Sequence, residues 1–246
     1  MQNNKKSGGH IPMKVIIPNM ITSGNVLCGV TSLIMTYHDK YIPAAILICF
    51  AVFFDAMDGK AARTLGGGSE FGEQLDSLAD AISFGVAPAV LMYAVYMGIN
   101  AGVWGALAAS FFALCGVLRL ARFNVTHVPT GPFQGLPIPA GGLTLVSFVL
   151  AGFPLTPLFA ITAMCFVGGL MVSSIPYWNA KRLCKQNINR SKMAVLLGFV
   201  IMCFLVMRER AFLVLALMYI TTGLVRFDMA SWVMLNDVVE EDDTCH

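Results

Sequence analysis

Eight stretches of this chain are apolar over the length needed to cross a lipid bilayer, roughly 19–37, 42–62, 76–97, 102–122, 138–153, 157–176, 192–207 and 211–229. A helix needs about 20 mostly apolar residues to span a hydrocarbon layer about 30 Å thick. In that layer a helix satisfies its backbone polar groups within its own segment. The chain is therefore confined to an all-α fold, a polytopic membrane bundle of about eight transmembrane helices. Composition agrees, because 57% hydrophobic and 12% charged residues over a length of 246 fall outside the range of ordinary soluble domains. The fifth and seventh runs are the short ones.

Net charge is only +2, and nothing in it calls for a nucleic-acid partner. The distribution of charge is more telling, since Lys and Arg concentrate in cytoplasmic loops. With the N-terminus inside and eight crossings, thirteen of the 16 basic residues fall inside, and only Lys40, Arg208 and Arg210 fall outside. This predicts a protein of the cell membrane with both termini and the 63–75 loop facing the cytoplasm. The first run carries Asn19, Thr22 and Asn25 and lacks a small-residue cleavage site, so it reads as a retained helix rather than a signal peptide. No soluble linker divides the chain, which reads as a single membrane domain over 1–246 ending in a solvated acidic tail, 230–246. The loop 123–137 is rich in Pro and Gly, and the basic loop 177–191 suits orientation and contact with anionic membrane lipids. The seven cysteines are scattered singly, without metal-ligand spacing, and read as free thiols.

Against this apolar background stand four aspartates, Asp55, Asp58, Asp76 and Asp80, at the facing ends of the second and third runs. A carboxylate at the bilayer centre costs roughly 2.5–3.5 kcal/mol on insertion scales. Residues three or four apart share a helix face, so Asp55, Asp58, Gly59 and Ala62 line one side of the second helix, and Gly72, Asp76 and Asp80 one side of the third. Antiparallel neighbours joined by a short loop bring those faces together. Acids so close need a cation to stay ionised together, and carboxylate oxygen suits Mg²⁺, Mn²⁺ or Ca²⁺. Two divalent ions about 3.5–4 Å apart are a recurrent device for displacement at phosphorus. Gly59, Ala62 and Gly72 leave room for a substrate or for close helix packing. Arg63 suits a phosphate oxygen or an interfacial charge. The Gly66-Gly67-Gly68 run lacks the Gly-Lys-Ser/Thr ending of a phosphate loop and reads as a flexible connection.

The pattern Asp-x2-Asp-Gly-x2-Ala-Arg-x8-Gly-x3-Asp-x3-Asp, unbroken from Asp55 to Asp80, resembles the signature of the CDP-alcohol phosphatidyltransferase family. The resemblance implies a six-helix core, here about 15–176, with additional C-terminal helices at about 192–229. It also implies a homodimer, two divalent ions per active site (Mg²⁺ or Mn²⁺), and cleavage of a CDP-linked lipid with release of CMP. Carried over by position, it makes Asp55, Asp58 and Asp76 metal ligands, and Asp80 both a ligand and the catalytic base. Gly59, Ala62, Arg63 and Gly72 would contact the CDP-lipid; Asn25, outside the motif, offers a further polar contact to it or helix packing.

The motif does not choose the acceptor alcohol. Ser83 to Ala89, Arg119 to Asn124 and Phe133 to Gly142 resemble the membrane-embedded phosphatidylserine synthases within that family, apart from Gly141 where Ala is expected. This implies CDP-diacylglycerol and L-serine as substrates. Arg119 and Arg122, three apart at the end of the fourth run, suit a carboxylate or a lipid phosphate, or serve as topology charges. Asn124 offers a further polar contact or helix packing. Glycerol-3-phosphate or an inositol compound is the alternative acceptor, and a cation transporter is the alternative from another class.

Overall fold

The computed structural model describes residues 13–66, 69–98, 101–126, 133–177, 198, 202–203 and 205–225. Apart from a two-residue antiparallel ladder, the secondary structure is helical. The helices are α1 (Met13–Tyr37), α2 (Tyr41–Leu65), α3 (Glu70–Met97), α4 (Gly102–Thr126), α5 (Ile138–Leu150), α6 (Pro157–Val172) and α7 (Ala211–Leu224). The ladder pairs β1 (Phe133–Gln134) with β2 (Pro176–Tyr177), with Phe133 opposite Tyr177.

Helices α1 to α4 are long and apolar enough to cross a membrane, and α5, α6 and α7 are shorter apolar helices. Large side chains such as Leu27, Phe53, Trp104 and Leu158 point outward and are more than half exposed. Such a surface is unfavourable in water and suits lipid, so the chain is an integral membrane protein. The seventh apolar run lies mostly outside the described residues. So do the first twelve residues, most of the basic loop and the acidic tail.

Helix ends follow local chemistry. Helix α2 stops at Gly66, whose left-handed φ of 60° lets its N–H reach the Ala62 carbonyl. Helix α3 starts where the Ser69 hydroxyl accepts from the Gly72 amide at 3.0 Å, with Glu70 and Glu73 in the first turn. Three of the expected spans thus gain extra turns at one end, α1 starting at Met13, α2 running on to Leu65 and α3 beginning at Glu70. Capping and polar helix-forming residues extend a helix past its apolar stretch, which hydropathy does not register.

Helix α5 is the centre of the bundle. At about 1.5 Å per residue its 13 residues reach only about 20 Å, and nine of them are buried: Ile138, Gly141, Gly142 and Thr144 through Val149. Close approach explains its small residues. A side chain at Gly142 would sit 2.8 Å from the Phe84 carbonyl oxygen of α3, and Gly116 of α4 leaves room for the Ile138 side chain. On the other flank α7 packs against α5 and β2. Helix α1 is locked to α3 just as tightly, because Gly29 lies directly against Ser83.

Candidate active site and acidic cluster

Helix α3 departs from regular α geometry immediately after Asp80. Residues Ala81–Val86 form a π-helical segment, a feature found disproportionately at functional sites because the wider turn re-aims the side chains around it. Asp80 itself is buried, and Asn25 of α1 donates from its side-chain amide to the Asp80 carboxylate at 3.3 Å. Asn25 is held in turn, since the Ser83 hydroxyl donates to its backbone carbonyl at 3.0 Å. The lock between Gly29 and Ser83 therefore reaches Asp80 through one residue.

The antiparallel pair α2 and α3 brings carboxylates together as the spacing predicts. One carboxylate oxygen from each of Asp55, Asp76 and Asp80 lies within 4.8 Å of the other two. Asp58 stands beside this triad, buried and close enough for its charge to act on Asp80. Thr22 and the Gly59 amide lie within hydrogen-bonding reach of the Asp58 carboxylate. Its Oδ2 is buried and finds no hydrogen-bond partner among the described residues, and neither does Asn25 Oδ1. Clustered hard oxygen donors with an unsatisfied carboxylate atom beside them form a donor set that fits a divalent cation.

The surrounding candidates separate into two groups. Arg63 is exposed, and its guanidinium lies across Gly59, where an added Cβ would meet Nη1 at 3.5 Å. Gly72 faces α1, an added Cβ there falling 2.9 Å from Asn19 Oδ1, and Ala62 is half-buried on the same face as Gly59. Arg119 and Arg122 part company. Arg119 is buried, within electrostatic range of Asp80, whereas Arg122 is exposed. Asn124 exchanges hydrogen bonds with Ser77, the neighbour of Asp76, at 3.0 and 3.3 Å, so it ties α4 to the acid-bearing turn of α3.

Asn19, Thr22, Ser77 and Ser83 enter the site without a role in it having been read from the sequence. For the first two the signal was available: Asn19, Thr22 and Asn25 recur every three residues along an otherwise apolar α1, a polar stripe on one helix face. Ser77 and Ser83 carry no such signal, because each is a small polar residue whose partner is known only once the helices pack.

The fold and the cluster define a polytopic helical membrane protein with an acidic, metal-competent centre at the end of two antiparallel helices. The sequence pattern of the CDP-alcohol phosphatidyltransferases matches residues 15–168, and the chain belongs to that family. It is 37% identical over 178 residues to a CDP-diacylglycerol–serine O-phosphatidyltransferase of Bacillus subtilis, covering 72% of this chain and 97% of that protein. An archaetidylserine synthase of Methanothermobacter thermautotrophicus is 39% identical over 72% of this chain and 74% of its own length. A CDP-diacylglycerol–serine O-phosphatidyltransferase of Helicobacter pylori is 31% identical over 220 residues, 86% of this chain and 91% of that protein.

Proposed function

We propose that this protein transfers a phosphatidyl group from CDP-diacylglycerol to the hydroxyl of L-serine, giving phosphatidylserine and CMP. The observation that carries the reading is the convergence of the Asp55, Asp76 and Asp80 carboxylates in a chain with the complete family motif. Serine is the shared element in the names of the relatives, including the archaeal one whose lipid differs. That favours serine over glycerol-3-phosphate or inositol, and family membership speaks against a transporter.

In this reading Asp55, Asp58, Asp76 and Asp80 hold two divalent ions, Mg²⁺ or Mn²⁺. Once bound, such ions supply charge compensation for the pyrophosphate and its leaving group. Arg63 faces the phosphates from the cytoplasmic edge, and Gly59, Ala62 and Gly72 admit the cytidine moiety. Asp80 accepts the proton of the serine hydroxyl as that oxygen attacks the lipid-linked phosphorus. A new oxygen–phosphorus bond forms, the bond from that phosphorus to the CMP oxygen breaks, and CMP leaves with the electron pair. Asn25 orients the base, and Asn124 steadies the helix turn that carries Asp76. Arg119, buried beside Asp80, takes the serine carboxylate or the lipid phosphate, with Arg122 at the exposed rim. The reaction faces the cytoplasm, the side to which the Lys and Arg asymmetry assigns the 63–75 loop. The chain acts as a homodimer, an assignment supported by the family resemblance.

Purified protein in mixed micelles, supplied with CDP-diacylglycerol, should release CMP only when both L-serine and Mg²⁺ or Mn²⁺ are present. Asp80→Asn should lower turnover by at least about a hundredfold without unfolding the protein. Serine-independent CMP release, activity undiminished by chelator, or near-normal turnover in Asp80→Asn would each count against the assignment.

A further inference from the structure

Helix α7 lies beyond the stretch matched by the family pattern, yet it brings a polar side chain to the edge of the site. Tyr219 lies within electrostatic range of Arg119, which is itself in range of Asp80. The Tyr219 ring packs on Tyr177 with centroids 5.8 Å apart and planes 34° apart. Gly223, one turn after Tyr219, has its backbone against the Tyr177 ring, where any Cβ would overlap the aromatic carbons. Tyr219 and Gly223 thus clasp Tyr177 at i and i+4.

Tyr177 is positioned from its other side as well. Its backbone pairs with Phe133 in the short ladder, and the next turn is fixed by Gly135, whose φ of 83° brings it against the Met171 and Ser173 carbonyls. The Gly135 amide donates to the Ile175 carbonyl at 2.9 Å and the Leu136 amide to the Leu170 carbonyl at 3.0 Å. Tyr177 is 4% exposed, and its hydroxyl has no hydrogen-bond partner among the described residues. Burial pushes the Tyr177 hydroxyl pKa up, so the phenol keeps its proton. A phenol held this firmly and left unsatisfied is unfavourable where phenylalanine would pack as well, unless a ligand completes it.

We propose that Tyr219 and Tyr177 complete the acceptor pocket beside Arg119, their phenol oxygens receiving the ammonium group of an amino-acid acceptor whose carboxylate pairs with the guanidinium. This rests on the transferase reading and deepens it. The acceptor hydroxyl is left to face Asp80, and a partner-matched ammonium site discriminates by leaving polar groups unpaired when the wrong alcohol enters. The two tyrosines act on acceptor affinity and choice, and phosphoryl transfer itself stays with the aspartates.

The test compares the full-length protein with Tyr219→Phe and Tyr177→Phe, both of which keep the ring contact. CMP release is followed against L-serine and against 3-hydroxypropionate, which has the hydroxyl and carboxylate of serine and no ammonium. In each variant KM for serine should rise about tenfold, with kcat within about twofold and KM for CDP-diacylglycerol unchanged. The preference for serine over 3-hydroxypropionate should narrow by the same factor. An unchanged KM for serine and an unchanged preference in both variants would overturn the inference, as would a uniform loss with both acceptors, which marks a structural role. Wild-type protein with no serine-dependent CMP release would instead overturn the transferase reading itself.

Discussion

Asn25 is the residue on which the geometry of the Asp80 carboxylate turns. Its amide donates to Asp80 and its carbonyl accepts from Ser83, so one side chain on α1 sets the direction of a carboxylate on α3. Hydrogen bonds to ionised groups are worth about 1.5–3 kcal/mol. Asn25→Ala should therefore lower kcat by about ten- to a hundredfold while leaving KM for serine within about twofold, as steady-state CMP release would reveal. A matched rise in KM with kcat unchanged would show that Asn25 binds the acceptor instead. The four aspartates were legible in the sequence because intramembrane acids have few other reasons to exist at fixed helical spacing. Asn25 was legible only as a contact to the CDP-lipid; its bond to Asp80 joins residues 55 positions apart and follows from packing.

At the scale of elements, the site depends on how closely α5 lets its neighbours approach. The Phe84 carbonyl lies 2.8 Å from where a Cβ at Gly142 would stand, and Phe84 belongs to the π-helical segment that follows Asp80. Overpacking of this kind costs about 1–3 kcal/mol. Gly142→Ala should lower the thermal midpoint of the detergent-solubilised protein and reduce turnover together, since the strain falls on the turn that follows Asp80. Gly141→Ala should be much milder, because the added methyl meets the flexible end of Met171 rather than backbone. The apolar runs predicted the helices well and marked the fifth as short, but they gave no sign that it is buried in the core rather than an ordinary span. Hydropathy reports that a segment avoids water and does not distinguish burial in lipid from burial in protein.

For the whole molecule, the asymmetry of Lys and Arg predicts both termini on the cytoplasmic side. With the other six cysteines replaced, Cys245 should resist a membrane-impermeant thiol reagent in intact cells and react once the membrane is permeabilised. Labelling of intact cells would reverse the orientation and with it the side on which CMP is released. Sequence alone determined that this is a helical membrane protein and that four acids gather at one end of it, because bilayer length, helical period and the cost of buried charge act along the chain itself. Tertiary structure alone decided that Asn25 serves Asp80, that Arg119 turns inward while Arg122 stays out, and that Tyr219 of the last described helix reaches the edge of the site. Those outcomes depend on which helix faces meet, and contacts between residues far apart in the chain leave no periodicity from which they could be read.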